Sequence, residues 1–160
     1  MTIDKPSSTQ THFLHFRLCQ REFCIPLKRV LRVISYVKLT AVPGMPSYFS
    51  GLLNLQGKQI PVLDLAKRLE IDHPEKYTIN TPIVLCHDDE ARSLGLIVDE
   101  VSQVESYDTA SLELSSLLEH GDHAFVEAVM TTKRGDSLFL DIDKLIRLED
   151  QLTELCIGNE

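Results

Sequence analysis

Apolar and polar residues alternate with a period of two along much of this chain, which is the mark of half-buried strands. Leu14, Phe16 and Leu18 fall on one face and His15, Arg17 and Cys19 on the other; after a turn at Gln20-Arg21-Glu22 the alternation resumes at Phe23, Ile25 and Leu27. A short helical turn or bend at 28–33 leads into a strand over 34–42, which Pro43, Gly44 and Pro46 close. From Gly51 to Leu65 two apolar runs flank a polar centre holding Asn54 and Gly57, the pattern of a hairpin. Pro61 puts its return strand near a sheet edge. Asp64 then caps a short helix carrying Leu65 and Leu69. Further strands are predicted at 82–86 and 94–107, the latter broken near Asp99-Glu100, and a second hairpin at 125–131 and 138–140. Helices are predicted at 111–120 and from Asp141 onward, where Ile142, Leu145, Ile146 and Leu148 recur at helical spacing.

The second half of this pattern repeats the first. Residues 23–36 match 94–107 at an offset of 71, so Val30 and Val33 fall on Val101 and Val104. The stretch from Gly57 to Leu65 corresponds to that from Gly135 to Ile142, with Asp64 on Asp141. A duplicated strand-rich unit predicts two small barrels packed as one molecule.

Charge sharpens the duplication. The 160 residues carry a net charge of −8, but residues 1–80 hold 11 Lys and Arg against 6 Asp and Glu, a net of +5, and residues 81–160 hold 5 against 18, a net of −13. Halves of opposite sign suit head-to-tail association with a complementary surface. The acidic total argues against nucleic acid, whose phosphates attract clustered cations. No apolar run approaches the length of a membrane span, and residues 1–11 lack the apolar stretch of a signal peptide, so a loose tail and a cytoplasmic protein are expected. Cys19, Cys24, Cys86 and Cys156 lack paired spacing and read as reduced thiols.

Little in the chain points to catalysis. Gly51 and Gly57-Lys58 have five intervening residues where a phosphate loop needs four, and Gln59 follows where Ser or Thr is required. His12 with His15, and His120 with His123, share an HxxH spacing, but on a strand an odd spacing points the rings to opposite faces, and surface histidines are expected. Arg134-Gly135-Asp136 suits a hairpin turn. What remains is a docking strip in which Val30, Leu31 and Val33 alternate with Lys28, Arg29 and Arg32.

These residues carry a resemblance. Phe13-x-x-Phe16-x-Leu18, Phe23-x-Ile25-Pro26-Leu27-x-x-Val30-x-x-Val33, Val42-Pro43, Gly51-x-x-Asn54-Leu55-x-Gly57-x-x-x-Pro61-Val62-x-Asp64-Leu65 and Gly95-Leu96-x-Val98-Asp99-x-Val101 resemble the CheW family of chemotaxis coupling proteins. The resemblance implies a mostly β domain over residues 12–150, made of two pseudo-symmetric five-stranded SH3-like barrels, one about 13–80 and one about 81–146, with short helices and a C-terminal helix whose end and tail occupy 151–160. It implies a non-enzymatic scaffold joining the cytoplasmic tips of methyl-accepting chemoreceptors to the regulatory domain of a CheA-type histidine kinase, with no catalytic residue, cofactor or metal. Val30 and Gly51 fall where the family contacts receptor or kinase, and Asn54 and Gly57 in its signature hairpin; Val33 joins them from the docking strip. Members usually carry Arg where this chain has Gln56, a neutral amide in place of a forked cation. That departure implies an alternative, a divergent regulator that binds the kinase without normal receptor coupling.

Overall fold

The computed structural model describes residues 10–73, 76–108, 114–115 and 125–157. In chain order these form β1 (Gln10–Leu18), β2 (Arg21–Pro26), a 3-10 turn (Leu27–Arg29), β3 (Val30–Ser35), β4 (Phe49–Leu55), β5 (Lys58–Asp64), α1 (Leu65–Arg68), β6 (Pro82–His87), β7 (Ser93–Ile97), β8 (Glu100–Asp108), β9 (Leu114–Ser115), β10 (Val126–Thr132), β11 (Gly135–Leu140) and α2 (Ile142–Ile157). The alternating stretches are strands, as expected. Three details differ. The strand expected over 34–42 is β3, which ends at Ser35; within 111–120 the described pair Leu114–Ser115 is strand, not helix, and the rest of that segment lies outside the described residues. Of the expected tail, Gln10 and Thr11 already pair with Asp108 and Tyr107 of β8. Residues 1–9 and 158–160 lie outside the described residues.

The strands assemble into two sheets, ordered β8-β1-β2-β11-β10-β9 and β3-β6-β7-β5-β4. Apart from the two-residue β9, the two orders are the same once the duplication is applied: β1, β2, β8, β10 and β11 of one sheet stand where β6, β7, β3, β4 and β5 stand in the other. Each sheet therefore takes its first hairpin from one repeat and its other three long strands from the other repeat. A division into one barrel over 13–80 and another over 81–146 is not how the strands are shared. The reason is that β3 pairs forward with β6 and β8 pairs back with β1, a reciprocal exchange between the repeats. Parallel ladders complete each sheet, Leu138 opposite Phe23 in one and Leu63 opposite Leu96 in the other. Beyond β3 the chain swings round to β4, where Thr40 and Leu52 exchange backbone hydrogen bonds of 2.9 and 2.8 Å. The result is the expected SH3-like curl, with sheets that bend without closing into a continuous ladder.

Three apolar clusters follow from this arrangement. The largest joins Leu14, Phe16, Leu18, Phe23 and Ile25 of the first sheet to Leu63, Val84, Cys86, Leu94 and Leu96 of the second, and to Leu145 and Ile146 of α2. The inner side of the second sheet holds Leu53, Ile60, Val62, Ile83, Leu85 and Ile97. The inner side of the first is thinner, with Phe13, Cys24 and Met130. Strands β1, β6 and β7 are thus buried on both faces, which is why His15, expected at the surface, has no solvent exposure. Pro61 lies one residue before the β5–β7 ladder begins at Val62, so its missing N–H removes no bond there. This lets β5 sit inside the sheet, between β7 and β4, rather than at the edge its proline suggested.

Asp64 and Asp141 perform the same task in the two repeats. Each caps a helix, accepting the backbone N–H of Lys67 at 3.1 Å and of Lys144 at 3.0 Å, respectively. Helix α2 is further anchored by Glu149, whose carboxylate accepts from Arg68 Nε at 2.8 Å while the guanidinium lies 4.5 Å from the Tyr48 ring centre and 4.4 Å from that of Phe125.

Candidate functional site

Among the described residues strand β3 forms a free edge of the second sheet, and it carries the most exposed apolar strip of the expected site. Its register slips at one point: Val30 pairs with Cys86 and Arg32 with Leu85, leaving Leu31 as an extra, bulged residue. A bulge resets the alternation of faces. Leu31, Arg32 and Val33 all reach solvent as a result, Leu31 at 50% and Val33 at 42% exposure. Val30 instead turns inward and packs on the central cluster. The other repeat has the same device. On β8, Ser102 is the bulged residue opposite the step between Phe16 and His15, and Val104 is 48% exposed, the counterpart of Val33 at the offset of 71.

The cations of the strip divide. Lys28 and Arg32 are exposed, whereas Arg29 is buried and grips Asp89 with its two terminal nitrogens at 2.7 and 3.3 Å and Asp143 at 3.1 Å. This guanidinium holds the Asp89 carboxyl below the usual carboxylate range. Arg29 therefore ties β3 to the β6–β7 turn and to α2, and does not face a partner. Sequence alone could not separate it from Lys28.

The hairpin residues take other places. Gln56 and Gly57 are the two central residues of the β4–β5 turn, with φ of 51° and 84°, the left-handed pair that a two-residue hairpin favours. Asn54 Oδ1 accepts the Gly57 N–H at 3.0 Å. For Gln56 the left-handed conformation costs about 1 kcal/mol, and it leaves the side chain exposed. Lys58 steadies the turn from the side, donating to the Ala91 carbonyl at 3.1 Å and to Ser93 Oγ at 3.2 Å. In the second repeat Thr132 pairs with Gly135, so Lys133 and Arg134 are the turn residues and Gly135 matches Lys58, one step from the match with Gly57 read from sequence.

Gly51 is buried, and a Cβ there would lie 2.8 Å from both Leu39 Cβ and the Thr40 carbonyl oxygen. It acts by letting the 39–40 segment cross β4, not by offering a surface. Of the six expected residues, then, Val33, Asn54, Gln56 and Gly57 are exposed, Val30 is partly covered and Gly51 is enclosed. β3 and β4 are opposite edges of one sheet, so Val33 and the β4–β5 hairpin belong to opposite sides of that ladder. Leu31 and Val104 complete the apolar strips; the repeat offset finds Val104 once Val33 is taken.

The groups around His15 that resemble catalytic chemistry are enclosed. His15 Nδ1 lies 3.2 Å from Ser137 Oγ and 3.7 Å from Glu22 Oε1, and His15 Nε2 lies 3.3 Å from the Tyr107 hydroxyl. Both His15 and Ser137 have no exposure, so no substrate reaches them. Burial lowers the His15 pKa against the opposing pull of Glu22. Burial also pushes the Cys24 thiol up to about 11 and that of Cys86 to about 12, so both stay protonated and inert at neutral pH. His12 is exposed, as expected; His120 and His123 lie outside the described residues. Among the described residues no helix is long and apolar enough to cross a membrane.

Comparison with known proteins agrees with the fold. The model of the CheW-like domain matches residues 12–150. A probable chemotaxis protein CheW of Rhizobium etli is 34% identical over 89 residues, 56% of either chain. The chemotaxis protein CheW of Thermotoga maritima is 29% identical over 133 residues, covering 83% of this chain and 85% of its own. Among solved structures, the scaffolding protein TtCheW of Thermoanaerobacter tengcongensis superposes with a TM-score of 0.73 at 30% identity, covering 82% of this chain and 89% of the other.

Proposed function

The chain belongs to the CheW-like domain family of chemotaxis scaffolding proteins, and from that membership we propose that it is a non-enzymatic adaptor coupling chemoreceptors to a CheA-type histidine kinase. The observation that carries this reading is the β3 edge. An edge strand, paired on one side only among the described residues, that exposes Leu31 and Val33 beside Lys28 and Arg32 is a small apolar patch with a charged rim, the composition of a protein-docking surface. The kinase regulatory domain, itself built of SH3-like barrels, meets this edge with one barrel, and the helical tip of a receptor uses a second surface at the β4–β5 hairpin around Asn54, Gln56 and Gly57.

The test is reconstitution. Receptor-containing membranes, the kinase and this protein are combined, and kinase autophosphorylation is followed with and without an attractant. Activation that depends on this protein and falls with attractant is expected. Kinase activity indifferent to its addition would overturn the coupling role.

A further inference from the structure

Three side chains from distant parts of the sequence meet where the two sheets join. Cys19 is the first residue of the β1–β2 turn, Asp99 lies in the corner between β7 and β8, and His73 follows α1. One ligand atom from each, the Cys19 sulfur, a His73 ring nitrogen and an Asp99 carboxylate oxygen, lies within 4.8 Å of the other two. The ligands of a tetrahedral zinc ion stand roughly 3.5 Å apart, given metal–ligand bonds of about 2.0–2.3 Å, so Cys19 has to close in and the His73–Asp99 pair, 2.5 Å apart, to open by about 1 Å for the set to hold an ion.

The surroundings hold the donors in place. Asp99 Oδ2 accepts the Cys19 backbone N–H at 2.7 Å, which fixes the carboxylate and turns Oδ1 to His73 Nε2 at 2.5 Å. The His73 ring packs against Tyr77 at 5.3 Å between centres, and Tyr77 against Tyr36 at 5.9 Å. Only 8% of the His73 side chain is exposed, against 27% of Asp99. On its outer side His73, though neither Cys19 nor Asp99, lines a cleft of about 530 Å³ together with Asp64, Asp72, Tyr77, Lys67 and Lys76, which opens the histidine side to solvent. A histidine–carboxylate pair accounts for two of the three groups without any metal. The thiol beside that pair donates to the Asp72 carbonyl at 3.7 Å, a bond it gives up when a metal displaces its proton.

Thiolate, imidazole and carboxylate form a borderline-soft donor set that suits Zn²⁺ over Mg²⁺ or Ca²⁺. We propose that Cys19, His73 and Asp99 bind one Zn²⁺, with a water completing the tetrahedron on the cleft side. The ion clips the β1–β2 turn of one sheet and the segment after α1 of the other to the chain that passes between the sheets. Binding releases the thiol proton to solvent, so affinity rises with pH. The site is separate from the β3 edge and does not depend on the adaptor reading.

Cobalt titration of the untagged full chain, reduced and stripped with chelator, tests the site. One equivalent of Co²⁺ is expected to produce the visible bands of tetrahedral cobalt together with a near-ultraviolet thiolate charge-transfer band, and added Zn²⁺ to abolish both. Cys19→Ser keeps the backbone donor to Asp99, so its fold, checked by circular dichroism, is expected to persist while the charge-transfer band disappears. Cys156→Ser is expected to retain the band, and His73→Gln or Asp99→Asn to weaken binding about tenfold or more. Absence of the band at stoichiometric cobalt, or a band that survives Cys19→Ser, would overturn the proposal.

Discussion

At Gly51 one hydrogen atom in place of a methyl group decides whether the 39–40 segment can lie across β4. The contacts a Cβ would make include the Thr40 carbonyl, which is itself bonded to Leu52 and cannot move away cheaply, and the φ of 148° is unfavourable for any other residue. Gly51→Ala is therefore expected to lose roughly 2 kcal/mol of stability in urea unfolding. His15 supplies a second residue-scale prediction. Its pKa is lowered in the folded state from an ordinary 6.5, so the unfolded chain binds the extra proton first. The stabilisation from keeping His15 neutral is complete above about pH 6.5 and is lost as the pH falls from there through the folded value. Urea midpoints at pH 7.5 and pH 5 should fall further apart for the wild type than for His15→Gln, even with Glu22 and Glu105 opposing the shift and Arg134 aiding it. The sequence marked Gly51 and Asn54 correctly as residues of a hairpin. It could not show why the glycine is needed, since Leu39 and Thr40 reach it only through the chain's return, nor that His15 faces the interior of the first sheet, in the place that Leu85 has in the second.

Elements were legible where alternation was regular and failed where an extra residue changed its parity. The bulges at Leu31 and Ser102 are one inherited feature in two copies, and each exposes a valine two residues later. Neither bulge leaves a local sequence signal, so Val30 and Val33 read as equivalents although only Val33 is at the surface. Helix α2 was clear from its spacing of Ile142, Leu145 and Ile146, but its attachment was not. The Arg68–Glu149 pair spans 81 residues, with Glu149 only 3% exposed and raised above the usual carboxyl range by burial despite Arg68. Removing Arg68 takes the cation from that carboxyl, leaving it the Tyr48 hydroxyl, and uncovers two aromatic faces. Arg68→Ala should cost about 3 kcal/mol in thermal or urea unfolding, and Arg68→Ala with Glu149→Gln clearly less. Equal losses would mean that the pair is not what holds the helix.

For the whole molecule, the duplication was visible in the sequence and the exchange between its copies was not, because both copies carry the same strand pattern and nothing local specifies which partner each strand takes. The exchange makes the halves interdependent. Residues 1–80 and 81–160 produced separately should give unfolded circular-dichroism spectra, and the native spectrum should return on co-expression; a folded 1–80 fragment would contradict the shared sheets. The docking strip on β3 belongs to this scale too, since its exposure depends on β6 of the other repeat covering its opposite edge. Its role is tested most directly by calorimetric titration of the kinase regulatory domain into the wild type and into Leu31→Asp/Val33→Asp at low salt. A wild-type dissociation constant tighter than about 10 μM is expected, with a loss of about tenfold or more, some 1.4 kcal/mol, in the doubly substituted protein and its melting temperature preserved. No heat of binding with the wild type at tens of micromolar, or equal affinity for both proteins, would contradict it.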